Sequence, residues 1–217
     1  MPARAIVFDF NGTLSDDEDV MEEVTADVLE RYGRRPTHQE YVDHLAGHSD
    51  EGMARAWLGD RRDIADIVAE RIEGYRSRVS DGTTIGPEMR EVVSAAAARV
   101  PIAIVSGAAL SEIEPVIRAA GIAELFTTVV TSDDVGSRGK PDPLGYQIAL
   151  ERFGDALPGL APDDVVVIED TEAGIAAAKA AGMRCLGLVG TMPAERLGQA
   201  DELISRIDLR LLGGLLD

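Results

Sequence analysis

An aspartate, Asp9, stands directly after the apolar run Ala5-Ile6-Val7-Phe8 and is followed by Asn11, Gly12 and Thr13. A carboxylate at the end of a buried strand, ahead of a glycine turn, is how an open α/β sheet presents a nucleophile. It costs desolvation unless it is paired or bound to metal. Three later segments carry polar groups in similar settings. Ser106-Gly107 sets a hydroxyl after Ile104-Val105. Gly139-Lys140-Pro141-Asp142-Pro143 holds a cation between prolines. Glu169-Asp170-Thr171 puts two acids after Val167-Ile168. Taken singly, each has a plainer reading: a Ser before Gly as a turn, a Lys as a solvated group, Asp-Thr as a helix cap.

Those residues need strands to hold them. Runs 101–105, 127–131, 164–168 and 184–189 read as short buried strands, with 202–204 a shorter one. Their alternation with helical patterns, including 173–181, predicts an α/β fold, a Rossmann-like parallel sheet covered on both faces. Residues 16–80 differ, because their periodicity is helical throughout. Val20, Val24 and Val28 repeat at i+4, and Ile64, Ile67, Val68, Ile72, Tyr75 and Val79 form one apolar face. Thr37 and Glu40 have capping-box spacing, and Pro87 is placed to open a helix. The expected division is a core of residues 1–15 and 82–217 and an inserted all-helical cap domain, residues 16–81, over the carboxyl end of the sheet.

With 217 residues the chain can bury one sizeable core, and 45% apolar content excludes a mainly disordered chain. A net charge of −18 argues against nucleic acid and against anionic membrane surfaces. The single cysteine, Cys185, permits no intramolecular disulfide. No run approaches a membrane span and no signal peptide is visible, so the expectation is a soluble cytoplasmic protein. Only two lysines occur, Lys140 and Lys179, and the three histidines are scattered, so no zinc cluster forms. Oligomeric state is left open.

The four segments, in order and in detail, resemble the haloacid dehalogenase-like superfamily. Gly139 to Pro143, with Tyr146 and Ala149-Leu150, is similar to its third motif, and residues 167–182 to its fourth. The resemblance covers nearly the whole chain and is nearest the phosphoglycolate phosphatase and β-phosphoglucomutase-like branch. It implies a phosphatase of a small phosphorylated metabolite, with Asp9 forming a phospho-aspartate. Ser106 and Gly107 would bind the phosphoryl group, Lys140 would neutralise charge, and backbone N–H groups at Asn11 and Gly12 would cradle phosphoryl oxygens. Mg²⁺ would be held by Asp9, the Asn11 carbonyl and Asp170, with Glu169 beside or behind. His48, in Ala46-Gly47-His48-Ser49-Asp50, falls in the loop that selects substrate. Phosphoryl transfer needs positioning and charge neutralisation, and an all-oxygen site suits Mg²⁺.

One position departs from the pattern. The family places a second Asp two residues after the nucleophile to protonate the leaving oxygen and then activate water. Here it is Asn11, whose amide cannot shuttle protons. The readings left open are replacement by Asp16, Asp17, Glu18 or His48; a slow phosphatase, or a phosphate-ligand-binding or regulatory protein; an engineered trap; or deamidation at Asn11-Gly12. The acidic run 16–19 reads more simply as a helix N-terminus satisfying its dipole, and Trp57 as cap packing or a wall of the site. The cap contains no lysine for Schiff-base chemistry. Ala46 and Asp50 flank the selecting loop, which argues against a bisphosphate intermediate.

Overall fold

The computed structural model describes residues 2–46, 48–154 and 157–217. Six strands form one parallel sheet: β1 (Ala5–Phe8), β2 (Ile102–Val105), β3 (Thr128–Val130), β4 (Val165–Glu169), β5 (Arg184–Leu188) and β6 (Glu202–Ile204), in the order β3-β2-β1-β4-β5-β6. The strand order therefore reverses about β1, and the crevice outside the carboxyl ends of such a sheet is where ligands bind. The strands expected at 101–105, 127–131, 164–168, 184–189 and 202–204 are all present, with ends shifted by a residue or two at most.

Period-two alternation divides the core into two layers. Ile6, Phe8, Ile104 and Ile168 face one side, against Val93 and Ala96 of α5 (Pro87–Ala97), Ile113 and Val116 of α6 (Leu110–Ala119) and Leu212 and Leu215 of α10 (Leu209–Leu216). Ala5, Val7, Val105 and Val167 face the other, against Tyr146, Ala149 and Phe153 of α8 (Leu144–Gly154) and Ile175, Ala177 and Ala178 of α9 (Glu172–Ala180). A short α7 (Ser132–Val135) follows β3.

Between β1 and α5 the chain makes a helical excursion: α1 (Glu18–Tyr32), α2 (His38–His44), α3 (Asp50–Leu58) and α4 (Ile64–Val79). The expected capping box is formed at α2, where Thr37 Oγ1 accepts from the Glu40 N–H and Glu40 accepts from the Thr37 N–H. Pro87 opens α5 as expected. The two chain crossings are tied together. The Asp16 N–H donates to the Thr84 carbonyl at 2.9 Å, and Ser15 Oγ donates to Thr84 Oγ1 at 2.7 Å. The predicted apolar stripe on α4 buries Ile64, Ile67, Tyr75 and Val79, but its centre is Arg71, a buried cation the stripe did not anticipate. Trp57 packs inside the excursion, with the Arg34 guanidinium 4.1 Å from its ring and its Nε1 donating to the Arg34 carbonyl.

Candidate active site

Strand register assembles the site. Phe8 pairs with Ile104 on one side and Ile168 on the other, and the Asp9 N–H continues the ladder to the Ile168 carbonyl at 3.0 Å. The next residues of the three strands are therefore Asp9, Val105 with Ser106 beyond it, and Glu169 with Asp170 beyond it. Lys140 reaches in from the loop before α8, whose start is ordered by Asp142 accepting from the Leu144 N–H at 2.9 Å. Its ammonium donates to Asp9 Oδ1 and to Glu169 Oε1.

Glu169 is fully buried and fully engaged. Its Oε1 also accepts from the Tyr146 hydroxyl at 2.6 Å, and its Oε2 accepts from the Thr171 hydroxyl at 3.1 Å. It stands behind Lys140 and orients the ammonium, and its carboxylate also belongs to the group of acids whose oxygens could hold a metal ion. A Cβ at position 174 would lie 2.0 Å from its carboxylate, so only glycine lets α9 approach so closely. Asp170 differs. Its Oδ1 accepts from Thr13 Oγ1 at 3.4 Å, while its buried Oδ2 makes no hydrogen bond among the described residues. Asp170 does not cap α9; the Thr171 hydroxyl does, accepting from the Gly174 N–H. Gly12, at φ +70°, turns the backbone beneath Asp170, and a Cβ there would sit 2.1 Å from Oδ2.

Oxygens of Asp9, Glu169 and Asp170 come within 4.8 Å of one another. Three carboxylates thus face one ammonium. Burial, opposed by Lys140 and reinforced by Glu169, pushes the Asp9 carboxyl up to about 7. Burial and the charges of Asp9 and Glu169 raise Asp170 well above the carboxylate range. The two carboxylates hold the Lys140 proton tightly despite burial. An uncompensated, buried, all-oxygen cluster with an orphaned carboxylate oxygen fits a hard divalent cation.

Asp9, Asn11, Ser106, Gly107, Lys140 and His48 line one cavity, so the structure brings together most of the residues singled out by sequence. Ser106 is buried, its Oγ accepting from the Ala108 N–H at 3.1 Å. His48 is exposed at the mouth, and Gly47 of the same loop lies outside the described residues. The helical excursion supplies the opposite wall, including Glu18, Tyr41, Asp50 and Arg71.

Asn11 is held by a ring of hydrogen bonds. Its amide donates to Asp17 Oδ2 and to the Tyr75 hydroxyl, each at 3.0 Å, and that hydroxyl donates to Asp17 Oδ2 at 2.5 Å. The Gly12 N–H adds a longer contact to Asp17 Oδ1 at 3.3 Å. A carboxylate at position 11 would face Asp17 with like charge, whereas an amide gives two donors where two acceptors wait. The acidic run therefore divides. Glu18 and Asp19 sit in the first turn of α1 as the dipole reading expects, but Asp17, at the N-cap, makes no capping bond and turns to Asn11.

Sequence reasoning missed Arg71 and Glu112. Arg71 donates to the fully buried Glu112 of α6 and lies 3.1 Å from Asp50. Glu112 also accepts from the Ala109 N–H at 3.0 Å. The signal was present: Arg71 lies four residues from Ile67 and from Tyr75, a charge on a buried stripe. Ala46 and Asp50 flank the selecting loop, whereas this guanidinium reaches the cavity from α4.

The chain is 31% identical over 216 residues to validoxylamine A 7'-phosphate phosphatase of Streptomyces hygroscopicus subsp. limoneus, covering 93% of this chain and 92% of that protein. It is 30% identical over 217 residues to hexitol phosphatase A of Escherichia coli K12, with coverage of 96% and 93%. A crystal structure of an Asp-to-Asn mutant of CbbY from Rhodobacter sphaeroides, in complex with xylulose-1,5-bisphosphate, superposes with a TM-score of 0.83. The identity there is 26%, and each chain is covered completely. Residues 6–188 match the haloacid dehalogenase-like hydrolase family, and with a parallel sheet that carries its nucleophile candidate at the reversal of strand order, this chain belongs to that family of enzymes.

Proposed function

We propose that this hydrolase is a phosphomonoesterase of a small phosphorylated metabolite, in the class of sugar, polyol or glycolate phosphates that its relatives' names record. The observation that carries the reading is the meeting of Asp9 and Lys140 at one cavity, with Asp170 beside Asp9 and its Oδ2 unpartnered among the described residues. In this reading an Asp9 oxygen attacks phosphorus and the ester oxygen leaves, giving a phospho-aspartate that water then hydrolyses. Lys140, aimed by Glu169 and Tyr146, neutralises charge gathering on the phosphoryl oxygens. Ser106 and the N–H groups that follow Asp9 bind those oxygens, with Gly107 leaving room beside them. Asp9, Asp170 and the Asn11 carbonyl would hold Mg²⁺, which when bound supplies charge neutralisation at the phosphoryl group.

Residues 16–81 act as a cap that excludes water and selects the substrate, with His48 at its mouth. No helix among the described residues is long and apolar enough to cross a membrane. Phosphate release from a panel of phosphomonoesters, with and without Mg²⁺, tests the reading. Metal-dependent turnover lost in Asp9→Asn supports it. A second reading, favoured by the amide at Asn11, is a catalytically weak ligand-binding or regulatory protein. Saturable binding of a phosphate ester without release would select it.

A further inference from the structure

Asn11 leaves the proposed reaction without a proton carrier beside the nucleophile. Four groups, Asp16, Asp17, Glu18 and His48, are candidates for the role, and the structure separates them. Asp16 is exposed at the chain crossing, and Asp17 is buried with both oxygens engaged by Asn11, Tyr75 and Gly12; neither lines the cavity. His48 lines it, but stands exposed at the mouth. Glu18, the first residue of α1, lines the cavity together with Asp9, Asn11 and Lys140. Its carboxyl makes no hydrogen bond or ion pair among the described residues.

We propose that Glu18 is the proton carrier of both half-reactions, acting from the first turn of α1 across the cavity from Asp9. This rests on the phosphomonoesterase reading. In the first half, an Asp9 oxygen bonds to phosphorus and the bond from phosphorus to the ester oxygen breaks. The electron pair goes to that oxygen, which takes the Glu18 proton and leaves as an alcohol. In the second half, the Glu18 carboxylate takes a proton from water as the water oxygen bonds to phosphorus. The bond from phosphorus to Asp9 breaks, phosphate departs, and Glu18 has its proton back.

The surroundings suit an acid that starts protonated. The charges of Asp9 and Asp170, just beyond β1 and β4, of Asp17 at the N-cap of α1 and of Glu22 in its next turn act on Glu18, as does Tyr41 of α2. The Arg71 guanidinium on α4 is the opposing cation. Burial of this half-buried carboxyl, then the Asp17 and Asp9 charges, push it up to about 8 against Arg71, which favours an acid that starts protonated.

The test uses p-nitrophenyl phosphate, whose leaving group needs little protonation, so the first half-reaction survives loss of the acid. Glu18→Gln should release about one equivalent of nitrophenolate in a burst and then stall, with a phosphoryl adduct on Asp9 seen by intact mass. Steady turnover should fall by about 10²–10⁴. The burst itself reports a folded, competent Asp9, and Glu18→Asp, which keeps a carboxyl, should stall less. Steady turnover of Glu18→Gln within threefold of the wild type overturns the proposal and leaves the phosphatase reading intact. A stall in His48→Ala but not in Glu18→Gln also overturns it, in favour of the imidazole. A wild type that releases no nitrophenolate and forms no adduct with Mg²⁺ present overturns both.

Discussion

On the sheet side of the cavity, Asp9 and Glu169 share the single ammonium of Lys140, Asp170 lies beside these carboxylates, and one Asp170 oxygen is left without a partner among the described residues. On the helical side, Arg71 is enclosed by Glu112 and Asp50, and the Asp17 carboxylate is satisfied by the neutral donors of Asn11, Tyr75 and Gly12. Both walls bury charge, but they balance it differently. The sheet side carries surplus negative charge with an open coordination position, which is affinity held in reserve for a cation. The helical side is nearly closed on itself: its buried charges are paired, and within this cluster only the Arg71 Nε lacks a hydrogen-bond partner among the described residues. Surplus marks where a ligand is expected; closure marks where two parts of the molecule are held together.

The largest way to break this contrast is at Asp9. Asp9→Asn should lower phosphate release by roughly 10⁶, the scale on which covalent enzymes lose rate without their nucleophile, while its melting temperature stays within a few degrees of the wild type. Residual turnover within a hundredfold would place the nucleophile elsewhere. On the closed side, Arg71→Met leaves Glu112 and Asp50 buried with like charge. It should cost about 3–5 kcal/mol, a fall in melting temperature of roughly 6–20 °C for a chain of this size. Glu112 is already pushed up to about 7 by burial, opposed by Arg71. Removing the guanidinium raises it further, and a carboxyl whose folded pKa lies above its unfolded one loses stability as pH rises. The deficit should therefore be smaller at pH 5 than at pH 8 by calorimetry. An equal deficit at both would mean that packing, rather than charge, carries the effect.

The surplus side makes a smaller, opposite forecast. Mg²⁺ at a hundred times its dissociation constant should stabilise the fold by about 2.7 kcal/mol, near 5–10 °C in melting temperature, and Asp170→Asn should abolish the increment. An increment that survives this change would move the metal away from Asp170. The smallest effect sharpens the role of Asn11. Asn11→Asp sets a second carboxyl against Asp17, which burial already raises. Stability should fall by on the order of 1–2 kcal/mol at pH 8 and recover towards pH 5, because the shared proton is held below the raised pKa. No pH dependence in this difference would show that the ring does not hold a buried charge.

The two walls also differ in how far they could be read from the chain. The sheet side is written in contiguous segments: an apolar run ends, and the next residue is Asp9, Ser106 or Glu169. Parallel register then aligns the ends, so local pattern is enough. The surroundings of Glu169 are less legible: an acid beside Asp170 reads as a second metal ligand, and only the fold shows that Tyr146 and Lys140 also share its oxygen. The helical side joins residues 50, 71 and 112, and residues 11, 17 and 75. Their pairing depends on how α1, α4 and α6 pack, which no local spacing encodes. Arg71 on the apolar stripe of α4 announced that something buried must meet it, though not that the partner was Glu112.

The bond pair joining Ser15 and Asp16 to Thr84 gives the helical excursion a closed neck. The chain leaves the sheet and re-enters it through a single doorway, so the strands need not register what hangs beyond. Closing a longer flexible loop across a fixed gap costs only about 0.6 kcal/mol per doubling of its length. The excursion can thus be enlarged away from its Arg71–Glu112 and Asn11–Tyr75 contacts with little consequence for the register that aligns Asp9 with Glu169. A molecule built this way can diversify in what it admits while its strand ends stay fixed, because novelty enters through one narrow joint.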